Sequence, residues 1–297
     1  MSRFSNPLAA SAAGIAALFM LAGCAKSDTQ SADTAAKAAA GAPAPAAAAT
    51  PNMVSFTARE FAFEGPDTIP AGLTMIHLTD TGKELHHVQL IKLEGGKTFA
   101  DFQAAAKDMA KGPPPSWIVF YGGVNPPAPG ATTTAMQVLE PGNYAVVCVV
   151  EGADHVPHMA KGMMRSLTVT PSSNPTTEPT ADVTLTLSDY TFTLSKPLAA
   201  GRQMIKVENT ASQPHEVVLV QLAPGKTIED VGKWVFDMNG PPPGKPIGGI
   251  PAFVNGKNSF FEADLTPGEY GMICFVPDAK DGKPHVQHGM TTQFKVS

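Results

Sequence analysis

The sequence is poor in charge and in aromatic rings. Of its 297 residues, 16% are Asp, Glu, Lys or Arg and 7% are Phe, Trp or Tyr. Positive charge is in deficit, with 21 basic against 26 acidic residues and a net charge of −5. That mild acidity offers no electrostatic footprint for a phosphate backbone, which excludes nucleic acid as an expected partner. Long apolar runs are missing too. The one candidate, Leu8 to Leu21, falls short of the ~18 residues a spanning helix needs and ends in small residues. Serine-nucleophile, Walker and HExxH patterns are absent, so no enzyme of those classes is expected. What is present is enough apolar material, 43% of the chain, for one or two globular domains with real cores.

The first residues read as an address. Arg3 precedes the apolar stretch, which runs into Leu21-Ala-Gly-Cys24, giving charge, hydrophobic segment and small residues in export-signal order. Leu-Ala-Gly-Cys resembles the lipobox of bacterial lipoproteins. That resemblance implies removal of residues 1–23, lipidation of Cys24, and a protein held to a membrane surface by its lipid anchor alone, on the periplasmic side. Ala25 following the cysteine favours the outer membrane under the same rule. Residues 24–52 are almost entirely Ala, Pro, Thr, Ser, Lys and Asp, which reads as a tether with nothing large to bury.

The remainder is one unit written twice. Met75-Ile-His-Leu-Thr-Asp80 with His86-His-Val-Gln-Leu matches Met204-Ile-Lys-Val-Glu-Asn209 with His215-Glu-Val-Val-Leu. Gly96-Lys-Thr98 pairs with Gly225-Lys-Thr227, and Gly112-Pro-Pro-Pro115 with Gly240-Pro-Pro-Pro243. Pro141-Gly-Asn-Tyr-Ala-Val-Val-Cys148 repeats as Pro267-Gly-Glu-Tyr-Gly-Met-Ile-Cys274. Domains are predicted at 53–170 and 182–297, with a Pro/Thr/Ser-rich hinge at 171–181. Period-two patterns such as Val54, Phe56, Phe61, Phe63 and Val183, Leu185, Leu187 predict half-buried strands. Thr98–Lys111 and Thr227–Asn239 predict helices that end at a Gly-Pro stop. The expectation is therefore all-β, two tandem Greek-key β-sandwiches, each with a short helical insertion.

With Cys24 assigned to lipidation, Cys148 and Cys274 remain at equivalent positions of separate units, where a mutual disulfide is geometrically awkward. Each is either a small buried hydrophobe or a thiolate for a soft metal. The histidines bear on this, because all except His77 lie in the repeated His and Cys-His-Met regions. Each unit gives the order His, Cys, His, Met, the last two five residues apart: His86, Cys148, His158, Met163 and His215, Cys274, His285, Met290.

In that order, and in its Pro-Gly-x-Tyr-x-x-x-Cys strand, the chain resembles the type 1 blue copper domains, the cupredoxins of the plastocyanin and azurin class. The resemblance implies copper held by those eight residues, with two imidazoles and a thiolate in a trigonal plane and a distant thioether, a set that suits both Cu(I) and Cu(II). It also implies that Asp80 and Asn209 brace the cysteine loop from behind. His155 and His288 lack counterparts in the other unit and His87 aligns with Glu216, so His87 is expected to face outward or to support the ligands. The pattern departs from the family in one respect: nine residues separate Cys148 from His158 and ten separate Cys274 from His285, where two to four are usual. Such loops close at small entropic cost but preset the geometry less well.

Three functions follow as expectations. One is a membrane-tethered one-electron carrier working with a redox partner protein. The second is copper buffering or delivery with a copper-trafficking partner, and the third a metal-free module binding a protein or glycan. Enzymatic oxidation is disfavoured because the cysteine neighbours are Val147 and Val149, or Ile273 and Phe275, not the histidines that pass electrons to a second copper.

Overall fold

The computed structural model describes residues 50–109 and 112–297. The leader, Cys24 and all but the last residues of the tether lie outside the described residues. The structure is nearly all β. The first copy runs β1 (Asn52–Arg59), β2 (Ala62–Glu64), β3 (Thr68–Pro70), β4 (Gly72–Asp80), β5 (Val88–Leu93), α1 (Phe99–Ala106), β6 (Ile118–Val124), β7 (Thr132–Leu139), β8 (Gly142–Val147) and β9 (Met164–Thr170). The second runs β10 (Val183–Ser188), β11 (Thr191–Leu194), β12 (Gly201–Asn209), β13 (His215–Leu222), α2 (Ile228–Asp237), β14 (Gly244–Phe253), β15 (Asn258–Leu265), β16 (Gly268–Ile273) and β17 (Thr291–Val296).

The two copies are welded edge to edge through both layers. One sheet has the order β11-β10-β12-β15-β7-β4-β1-β2 and the other β17-β16-β13-β14-β6-β5-β8-β9-β3. The joins are the antiparallel pairs β15·β7, with Phe260 opposite Met136, and β14·β6, with Phe253 opposite Tyr121. Pairing these edges removes two rows of open hydrogen-bonding groups that would otherwise invite aggregation. A single buried cluster, including Phe56, Leu78, Leu90 and Val146 of the first copy and Leu185, Val207, Leu219 and Phe261 of the second, fills the space between the layers.

The alternation of β1 and β10 follows from one buried face. In contrast, β5 and β13 are buried almost throughout, because the helices cover their other side. Phe102 of α1 packs on Ile91, Ile118 and Ala145, and Ile228 and Val231 of α2 on Val218, Val220 and Ile273. Both helices begin at the predicted threonines, each in a capping box: Thr98 with Asp101, Thr227 with Asp230. They stop short of the predicted ends, at Ala106 and Asp237. At the Pro-Gly turns, Tyr144 donates its hydroxyl to Glu140 O (2.9 Å) and Tyr270 to Thr266 O (3.0 Å), pinning each sheet-to-sheet crossing as a tyrosine corner does.

The Gly-Gly pairs of the two copies are not loops: Gly122-Gly123 lies inside β6 and Gly248-Gly249 inside β14. Gly123 and Gly249 have φ of 127° and 123°, and a Cβ on either would sit 2.0 Å from the carbonyl of Val88 or Val217. Only glycine admits that close approach of two strands. The connector between the copies is not a free hinge either. Leu73 N–H donates to Pro175 O (2.7 Å), Asn174 Nδ2 to Asn52 Oδ1 (2.7 Å), and Glu178 accepts from Asn258 Nδ2 (2.8 Å) while facing Lys206.

Candidate metal centres

Each copy gathers its donors from the same three places. His86 lies just before β5 and His215 opens β13; Cys148 and Cys274 directly follow β8 and β16; His158 and His285 open one-turn 3-10 helices, His158–Lys161 and His285–His288. The long loops between cysteine and histidine are tightly preset, contrary to the expectation from their length. Met159 N–H donates to Cys148 O (2.7 Å), His158 N–H to Val150 O (2.9 Å), and Cys148 N–H to Met163 O (3.2 Å). The second copy repeats this with Val286 N to Cys274 O (2.8 Å), His285 N to Val276 O (2.9 Å) and Cys274 N to Met290 O (3.3 Å). The extra residues bulge outward as small loops closed by the bridges Glu151–Pro157 and Pro277–Pro284. Loop length therefore costs the site nothing, because the ends are clamped to the strand.

The donor atoms converge. His86, Cys148 and His158 form one group and His215, Cys274 and His285 another, each with its ligand atoms within 4.8 Å of one another and every residue buried. In the first, the Nδ1 atoms of His86 and His158 are 3.0 Å apart and Cys148 Sγ is 3.5 Å from His158 Nδ1. In the second, Cys274 Sγ lies 3.9 Å from His215 Nδ1 and 3.3 Å from His285 Nδ1. Metal bonds of about 2.0 Å to imidazole and 2.3 Å to thiolate would space trigonal donors roughly 3.5–3.7 Å apart, so the atoms already stand near the spacing one ion requires. Met163 and Met290 are fully buried in the same core cluster as the two cysteines. Both thiols are free.

Burial fixes the protonation states. It lowers His86 to about 4, helped by His158, and His285 to about 4, helped by His215; His215 is also lowered by burial. His86, His215 and His285 are thus neutral and ready to donate. Burial pushes the Cys148 thiol up to about 12 and Cys274 well above its ordinary value. A buried thiol so reluctant to ionise must gain a cation as it loses its proton, and metal binding supplies one.

Asp80 and Asn209 brace the loop of the first histidine, where a brace on the cysteine loop was expected. Asp80 accepts the N–H groups of Gly82 (2.9 Å) and His86 (3.1 Å). Asn209 donates to Gln213 O (3.1 Å) and Phe253 O (2.7 Å) and accepts from Ala211 N (2.9 Å). His87 is buried and supports the ligands: its N–H faces Cys148 Sγ (3.5 Å) and its Nε2 accepts from Val149 N (3.0 Å). His155 pairs only loosely with Glu151 (3.8 Å) and His288 with Asp281 (3.1 Å), so neither joins the buried groups. The Asp278, Asp281, His288 group at the loop of the second copy already spends its oxygens: Asp278 accepts from Tyr190 (2.6 Å), Gln213 (2.9 Å) and Lys280 N (2.8 Å).

Sequence reasoning missed the rings and carboxylates around the imidazoles. Phe61 lies edge-on to His158 (centroids 5.0 Å) and Tyr190 to His285 (5.5 Å). Both hold left-handed backbones, φ 48° and 61°, a strain of roughly 1–2 kcal/mol for a residue with a Cβ. They are 129 residues apart, the offset of the repeat, which is the signal that could have found them. Glu84 Oε2 sits 2.9 Å from His158 Nε2 and Asp189 Oδ1 3.4 Å from His215 Nε2.

The sequence matches no protein-family profile and no curated protein. Among solved structures it is similar to a dithionite-reduced auracyanin from Roseiflexus castenholzii, at 21% identity over 41% of this chain and 99% of that one, TM-score 0.29. It is similar at 21% identity to auracyanin A, a "blue" copper protein of Chloroflexus aurantiacus, over 40% of this chain and 99% of that one, TM-score 0.29. A blue copper oxidase from Nitrosomonas europaea aligns at 14% identity over 84% of this chain and 86% of that one, TM-score 0.26. On its own geometry, each of the two repeats sets a buried His, Cys, His group ahead of a buried methionine, the arrangement that the cupredoxin resemblance implies, and these donor sets fit copper.

Proposed function

We propose that this protein is an exported one-electron carrier with a copper centre in each of two Greek-key sandwiches, held by His86, Cys148, His158 and Met163 and by His215, Cys274, His285 and Met290. The observation that carries this is the pre-gathered donor set. Two buried imidazoles and a thiol stand within one ion's reach in each copy, on a strand and loop clamped by backbone hydrogen bonds. Copper bound there would supply a one-electron couple, since a thiolate and two imidazoles suit both oxidation states. The chain's own part is to hold the donors still. Little has to move when the charge changes, and that favours fast transfer to a redox partner protein.

The lipobox-like Leu-Ala-Gly-Cys24 supports tethering by lipid to a bacterial membrane, the outer one by the residue that follows, with the folded part on the periplasmic side. An electron carrier is preferred to an enzyme because no histidine flanks either cysteine to feed a second copper. The test is a visible spectrum and voltammogram of the Cu(II)-loaded protein. An intense band near ~600 nm with a reversible potential is expected. Tight Cu(I) binding with no stable Cu(II) form would replace the carrier with a copper buffer or delivery protein. Failure to retain copper would leave a metal-free binding module.

A further inference from the structure

Between the copies runs a buried line of polar contacts that holding a metal does not require. His87 Nε2 accepts the Val149 N–H, so Nδ1 carries the ring proton, and it faces Asn125 Oδ1 at 3.3 Å. Asn125 donates from Nδ2 to Val217 O (2.8 Å), and its N–H donates to Gly249 O (3.1 Å). One residue back, the Glu216 N–H bonds the Cys274 thiol, and its carboxylate accepts the N–H of Phe275 (2.8 Å), the residue after that cysteine. With the His87 N–H on Cys148 Sγ (3.5 Å), the path from one sulfur to the other consists of covalent and hydrogen bonds throughout.

Three further features argue that this is more than packing. His87, Asn125 and Glu216 are 3%, 0% and 7% exposed, and burying polar side chains costs more than filling the same space with apolar ones unless all are paired. The bridge is not a by-product of duplication: the position matching Asn125 in the second copy is Pro251, and the partners His87 and Glu216 are different residues at equivalent positions. One asparagine therefore serves both centres.

We propose that His87, Asn125 and Glu216 form a through-bond route by which one electron passes between the two copper centres of a single chain; this rests on the carrier reading above. As Cu(I) at one centre becomes Cu(II), Cu(II) at the other becomes Cu(I). No bond breaks, and each hydrogen bond of the route keeps its proton. Tunnelling falls off less steeply along bonds and hydrogen bonds than across open gaps, so a continuous path raises the rate over one through apolar packing.

The experiment is flash reduction of the doubly copper-loaded protein, followed at the band of each centre as assigned with Cys148→Ser and Cys274→Ser. A relaxation independent of protein concentration is expected. It should slow by on the order of tenfold or more in Asn125→Leu and persist in Glu216→Gln, whose side-chain oxygen still accepts. It should also persist in Gln89→Met, because Gln89 crosses the same seam to Ala252 O (2.9 Å) without touching either cysteine. Asn125→Ser, too short to span both partners, serves if the leucine variant does not fold. In the copper-free protein, the NMR signal of a protected His87 Nδ1 proton should vanish in the same variant. An unchanged rate in Asn125→Leu with both bands intact, or a relaxation that scales with protein concentration, overturns the route alone. Absence of a thiolate–copper band in the parent protein overturns the carrier reading and the route with it.

Discussion

In the first copy, His158 holds Glu84 at 2.9 Å while His86 has Glu60 only at 4.0 Å and leaves Nε2 buried and unpaired. In the second copy the roles are exchanged. His215 has Asp189 at 3.4 Å, and His285, with Asp278 at 3.7 Å, carries the unpaired Nε2. The donors are duplicated faithfully but the groups behind them are not. Duplication preserved what a metal touches and left free what tunes it, so the two centres are expected to differ in affinity and potential though built from the same four residue types. A carboxylate behind an imidazole makes that ligand a stronger donor.

The largest effect on this comparison should come from the seam. Gly123→Ala and Gly249→Ala each force a Cβ into a carbonyl at 2.0 Å on a left-handed backbone, and each should cost about 3 kcal/mol or more. The check is the urea midpoint. Loss of one cooperative transition rather than half of it would mean the copies fold as a single unit, as their shared sheets imply.

Next in size is the partner of the loop histidine. Glu84→Gln should weaken copper at the first centre by roughly 10–100-fold and leave the second unchanged, measured by competition with a chelator at each band. Asp189→Asn should do less to the second centre, since its contact is longer. Equal losses at both centres from either change would break the proposed asymmetry.

The smallest effect concerns the clasp across the copies. Glu140 of the first copy is held by Lys257 of the second and Lys92 of its own, which together draw its carboxyl down to about 2. The folded value lies below the unfolded value of ~4.3. Its contribution is therefore complete above pH ~4.3 and is lost as pH falls toward 2. Because Glu140 is nearly half exposed, Glu140→Gln should cost only about 1 kcal/mol at pH 7, and a denaturation series in pH should show the difference between parent and variant vanish in acid.

Much of this was legible in the sequence because the chain states it twice. The 129-residue offset paired His86 with His215 and Thr98 with Thr227, and two copies of one pattern separate signal from accident. The helices with their first threonines and the period-two strands β1 and β10 followed from local chemistry. The join was not legible, since nothing in Ile118–Val124 or Gly244–Phe253 says which sheet edges will meet. His87 could be read as facing outward because its counterpart is Glu216, and polar residues at matching positions ordinarily mark a wet face. Here both are buried beside the cysteines. The role of the glycine pairs was not legible either, as only the partner strand reveals the contact that demands them.

The central claim, that each copy holds its own copper, is tested most directly by native mass spectrometry of the copper-loaded protein beside Cys148→Ser and Cys274→Ser. The account requires two copper ions on the parent chain and one on either variant. A parent chain that retains one or none, or a variant that still retains two, would contradict it.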